Sequence, residues 1–134
     1  MTTAAPPRLL RYLGLAAMVF GVLTVFSGGR ALFGPAEVKV AMGQVILWVL
    51  WFNFSAGFLY VAVGWGLWQS AFPWAAHGSL LLASATAIVA AALALHITQG
   101  GAFEKRTVGA MLLRLVFWVS VAALAYRKNS AAPR

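Results

Sequence analysis

Arg106 and Arg114 stand eight residues apart in the stretch EKRTVGAMLLRLVFW, so a helix through them carries both guanidinium groups on one face. Such a face attracts an anionic group. Arg114 is also an anomaly, because the residues on either side of it are apolar enough to lie in a bilayer. A charge there costs about 2.5–3.5 kcal/mol at the centre of a membrane helix, and less near the ends. A base is disfavoured in a helix's first turn, so Lys105 and Arg106 predict a start near Thr107, whose hydroxyl can cap it. Arg114 is then roughly 10 Å along the axis. Two readings stand. Arg114 snorkels back to lipid phosphate, or it turns inward and pairs with Glu37, Glu104 or the anionic group of a ligand.

Few other residues bear chemistry. Glu37 and Glu104 are the whole acidic complement, and their spacing does not pair them. His96 reads either as an interfacial histidine bonded to a carbonyl or water, or as a proton carrier or metal ligand. His77 does not complete a site with it: nineteen helical residues separate them by roughly 28 Å. A haem would therefore need a second chain or another axial ligand. Asn53, Gly57, Tyr60 and Gly64 share one stripe, where small residues let helices approach and a buried amide can bond across them or to a ligand. Gln44, Trp48, Trp51 and Ser55 form another. Trp48 and Trp51 are either an aromatic belt or the wall of a pocket for a planar ligand such as a quinone.

No HExxH, phosphate-binding Gly-rich loop or nucleophile elbow occurs. The chain has no Cys and no Asp, which removes disulfides, thiolate metal sites and most hydrolytic chemistry. The expectation leans away from an enzyme and assigns no catalytic residue, metal or cofactor; quinone and haem stay as minor alternatives.

The elements that must position these residues follow from composition. Of 134 residues, 63% are hydrophobic and 9% charged, against about 25% charged in soluble domains. A chain this short cannot hide so much apolar surface in its own interior. From Val40 through Phe103 there is no Asp, Glu, Lys or Arg, and roughly 20 residues suffice for one crossing. Four apolar segments result, at about 9–28, 44–69, 79–98 and 107–126, within one domain. Pro6-Pro7 suits the first helical positions, Gly28-Gly29 and Arg30 close the first segment, and 35–43 lies partly in the interface. Short connections make consecutive helices antiparallel neighbours. The expected fold is all-α, an integral membrane antiparallel four-helix bundle with MTTAA and NSAAPR as flexible ends.

The net charge of +8 comes from bases beside apolar segments, which reads as topology and contact with anionic lipid rather than nucleic acid. Arg8 and Arg11 before an apolar run also resemble a signal peptide, but no small-x-small cleavage site follows. Arg8, Arg11, Arg127, Lys128 and Arg134 place both termini on the cytoplasmic side. The first and third loops then share the outer face. With them fall Arg30, Glu37, Gln44, Asn53, His96, Gln99, Glu104, Arg106 and Arg114, whereas the inner half is Gly, Ala, Leu, Val and aromatics. The outer half is the candidate site.

The stretches RYLGLAAMVFGVLTVFSGGRALFG and FNFSAGFLYVAVGWGLW resemble, by layout, short bacterial four-helix inner-membrane proteins of the DoxX-like kind. That resemblance implies a small accessory subunit, in some cases near quinone or thiosulfate metabolism, and carries over no site residue. The first segment lacks the Glu expected of a small multidrug transporter. Three functions are carried forward: a non-catalytic accessory or structural subunit of a larger membrane complex or homo-oligomer, a ligand-binding or redox-associated protein using Asn53, His96, Glu104 and Arg114, and a small oligomeric transporter.

Overall fold

The computed structural model describes residues 7–131, which form five helices and, among those residues, no strand. Pro6, the first five residues and Arg134 lie outside the described residues. The helices are α1 (Pro7–Phe33), α2 (Ala36–Ala41), α3 (Leu47–Trp68), α4 (Phe72–Thr98) and α5 (Lys105–Ala131). All but α2 are long and apolar enough to cross a membrane.

Several boundaries differ from those the local signals predict. Helix α1 continues through Gly28-Gly29 to Phe33, because Gly28 is buried against α3, where an added Cβ would meet the Phe54 side chain at 3.1 Å. The glycines there permit close packing instead of ending the helix. Helix α4 starts seven residues before Ser79, with Pro73 in its first turn, where a missing N–H removes no hydrogen bond. The α3–α4 connection shrinks to Gln69–Ala71. Helix α5 starts at Lys105, so Thr107 lies inside the first turn rather than capping it. The Glu104 carbonyl accepts the first N–H groups, from Thr107 and Val108.

Two turns close by the same device. After α4, Gly100 takes φ +83, and the N–H groups of Gly101 and Gly100 return to the carbonyls of His96 and Ile97. After α3, Ala71 and Ser70 donate to Gly66 and Leu67 in the same pattern, but a serine holds the left-handed position at φ +61.

Helix α1 packs mainly on α3, and α4 on α5; α3 joins the pairs through α4, while α1 and α5 touch little. The α1–α3 seam is glycine on glycine. A Cβ on Gly14 would lie 2.6 Å from the Gly64 carbonyl oxygen, and one on Gly21 would lie 2.7 Å from that of Gly57. Residue numbers rise along α1 as they fall along α3, so this pair runs in opposite directions. Tyr60 and Trp118, both fully buried, tie the two pairs together with ring centroids 5.1 Å apart. Thr24, Ser79 and Thr86 are buried, whereas Ile88 is 70% and Val116 64% exposed. Hydroxyls inside and aliphatics outside reverse the arrangement of a water-soluble domain.

Candidate functional site

Because α1 and α5 barely meet, a cavity of about 410 Å³ remains between them. Its walls follow helical spacing. Phe20, Leu23, Thr24, Ser27 and Gly28 come from one face of α1; Val49, Leu50 and Asn53 from the start of α3; and Arg106, Thr107, Ala110 and Arg114 from one face of α5. Met42, Val45 and Ile46, in the segment between α2 and α3, complete it.

The two arginines reach this cavity at different depths. They are separated by roughly 12 Å along the helix axis. Arg106 is exposed and stands at the mouth; Arg114 is half-buried and stands further in. The Arg114 guanidinium lies over the Phe20 ring, 5.2 Å from its centroid. Its polar neighbour is the Tyr60 hydroxyl, not a carboxylate, and neither Glu37 nor Glu104 belongs to the cavity walls. Arg114 thus faces inward without the glutamate partner that the inward reading expects. A cation over an aromatic face is stabilised by about 0.5–2 kcal/mol, a partial offset for its burial. Arg114 Nε and Asn53 Oδ1 are both buried without a hydrogen-bond partner.

Glu104 acts beside the cavity. Its carboxylate accepts the Gln44 backbone N–H at 2.9 Å and lies against Gly43, whose φ of +74 favours glycine. It thereby ties the 42–46 segment, which supplies three wall residues, to the start of α5. Glu37 is exposed on α2. His96 lies elsewhere: its Nε2 pairs with the Ala102 carbonyl oxygen at 3.0 Å, and its ring meets Trp48 edge-on at 6.3 Å. Trp51 packs edge-on against Phe33 and Phe54. Trp48 and Trp51 are both partly exposed and outside the cavity walls.

Of the residues singled out by sequence, Asn53, Arg106 and Arg114 are therefore brought together, Glu104 supports them, and Glu37, His96, Trp48 and Trp51 stand apart. Phe20 and Thr24 gave no local signal, since an apolar or hydroxyl residue in an apolar helix is ordinary. Trp118 did give one. It occupies the midpoint of α5, away from the interfacial positions that tryptophan prefers. It packs against Tyr60, and both side chains are fully buried.

The walls offer two cations, an amide and several hydroxyls on an apolar background, with no carboxylate among them. That set has the chemistry to attract an anion and contains no general base or nucleophile pair. No group of three or more His, Cys, Asp or Glu side chains that could hold a metal ion occurs among the described residues. Compared with family models, curated proteins and solved structures, the chain matches none.

Proposed function

We propose that this is a multi-pass integral membrane protein, an antiparallel four-helix bundle of a bacterial inner membrane, that binds an amphipathic anion in its outer half. The carrying observation is the convergence of Arg106 and Arg114 on one cavity whose walls contain no carboxylate. Phe20, Leu23, Ile46, Val49 and Leu50 offer an apolar bed, and Asn53 an amide, so the ligand combines an acidic headgroup with a hydrocarbon or ring portion. The gap between α1 and α5 supports entry from the lipid phase. A bundle with Arg8, Arg11, Arg127 and Lys128 at one end supports cytoplasmic termini.

An accessory role within a larger complex is a second reading. It draws on α5, where Gly109 faces open space. Gly14 and Gly21 of α1 are already engaged with Gly64 and Gly57 of α3, so the face offered to a partner would lie on α4 or α5.

Native mass spectrometry of the full chain, released from mild detergent, tests the proposal. The wild type should retain an anionic lipid-like adduct, and Arg106→Gln with Arg114→Gln should reduce its occupancy at least tenfold. An adduct spectrum indifferent to that double substitution would remove the reading.

A further inference from the structure

Two polar atoms on the cavity walls have nothing to bond to. Arg114 Nε carries a proton and Asn53 Oδ1 accepts one, yet both are buried without a hydrogen-bond partner. They are complementary, and they are not bonded to each other. One comes from α5 and the other from α3, and both line the cavity.

Helix docking sets their depth. Gly21 of α1 faces Gly57 of α3. Towards the mouth, Asn53 lies one turn beyond Gly57 and Thr24 nearly one turn beyond Gly21. The amide and the buried Thr24 therefore meet the cavity at one level. Phe20, one turn further in than Thr24, lies under the Arg114 guanidinium. Arg106 stands roughly 12 Å along α5 from Arg114, at the mouth.

The inner end thus asks two things of a ligand's head. Arg114 needs an anionic acceptor. Asn53 Oδ1 needs a donor, which a bare carboxylate or phosphodiester lacks. A head that met only the arginine would leave the amide oxygen buried and unpaired, at a cost in a desolvated site. A phosphate monoester is close to doubly charged at neutral pH and has little proton to offer. A hydroxyl a few bonds from the anionic oxygen supplies the donor. Volume sets a further limit. The cavity's 410 Å³ or so is near the lower end of the roughly 300–1,000 Å³ of ligand pockets, which suits a head with one chain.

We infer that the cavity selects a single-chain amphiphile whose head pairs an anionic oxygen, held by Arg114, with a hydroxyl that donates to Asn53 Oδ1. This rests on the reading of the cavity as a site for an amphipathic anion, and it makes Asn53 the residue that determines specificity. Hydroxy acids and glycerol phosphodiesters share this head chemistry. Arg106, at the mouth, attracts any anion and does not discriminate among them.

Competition in native mass spectrometry, on the full chain in mild detergent, tests this. Two pairs of probes are offered at equal concentration, and the members of each pair differ only in their hydroxyls. One pair is β-hydroxydecanoate with decanoate; the other is dodecyl phosphoglycerol with dodecyl propyl phosphate. In at least one pair the wild type should retain the hydroxylated member at least tenfold over its partner, and the pair that shows this names the source of the head. Asn53→Leu, close in volume but without an acceptor, should bring that ratio near one while still holding the deoxy probe. Arg106→Gln should weaken both members and leave the ratio intact. A wild type that holds both members of each pair equally would overturn the selection and leave the amphipathic-anion reading standing. A wild type that holds none of the four probes would remove both. Asn53→Leu with the wild-type ratio would overturn the assignment to Asn53, and Asn53→Ala decides in the same way if the leucine variant does not fold.

Discussion

The guanidinium carbon of Arg114 lies 5.2 Å from the centroid of the Phe20 ring. An aromatic face on another helix, not a glutamate, receives this charge. Arg114→Leu therefore orphans no carboxylate. The loss of about 0.5–2 kcal/mol of cation–π attraction is set against relief of an insertion cost of about 2.5–3.5 kcal/mol at most. Thermal stability in detergent should be unchanged or higher, while amphiphile binding falls at least tenfold. A loss of several kcal/mol would show that a buried acidic partner had been stranded.

The α1–α3 seam has no room for methyl groups. A Cβ on Gly21 would lie 2.7 Å from the Gly57 carbonyl oxygen and 2.8 Å from Val61 Cγ2. Backbone cannot yield as a side-chain tip can, so Gly21→Ala should destabilise by about 1–3 kcal/mol. Gly109→Ala is the control, because nothing lies within 4 Å of its Cβ position. It should be neutral or stabilise by up to about 1 kcal/mol through helix propensity. Unfolding midpoints of both variants check the contrast.

Ser70 occupies a left-handed position, φ +61, that its counterpart Gly100 fills without a Cβ. An L-residue there costs roughly 1–2 kcal/mol, partly returned by the lower entropy of a non-glycine unfolded chain. Ser70→Gly should raise stability by about 0.5–1 kcal/mol, read as a higher unfolding midpoint with unchanged ligand binding.

Glu104 tethers the Gln44 backbone N–H at 2.9 Å. Glu104→Ala should cost about 1.5–3 kcal/mol locally, the range for a hydrogen bond to a charged group. Hydrogen exchange at the Gln44 amide should accelerate, and amphiphile binding should weaken as Met42, Val45 and Ile46 lose their anchor. Glu104→Gln keeps an acceptor and should preserve much of the protection.

The chain contains no cysteine, so single cysteines report topology cleanly. Cysteines at Val40 and Ala102, both exposed near the cavity end, should react with an impermeant maleimide from the same face of a vesicle. One at Ser70 should react from the other face. Labelling of positions 40 and 102 from opposite faces would dismantle the proposed bundle and its cavity together.

Composition and the charge-free run from Val40 to Phe103 were enough to establish four long apolar helices, because the hydropathy of such segments is local information. Arg106 and Arg114 on one face of α5 were equally legible, since helical periodicity needs no neighbour to define it. Ends were less so. Gly28-Gly29 reads as a terminator until Phe54 of α3 packs there, and Thr107 reads as a cap until α5 begins two residues earlier. What lies opposite each face depends on how helix pairs dock, and that is set by close approach between residues distant in sequence. Gly14 on Gly64 and Gly21 on Gly57 draw α1 towards α3 and leave the gap beside α5. That docking decided that Arg114 meets Phe20 and Tyr60 instead of Glu37 or Glu104. It also set Trp118, already unusual as a tryptophan at mid-helix, against Tyr60 in the buried centre.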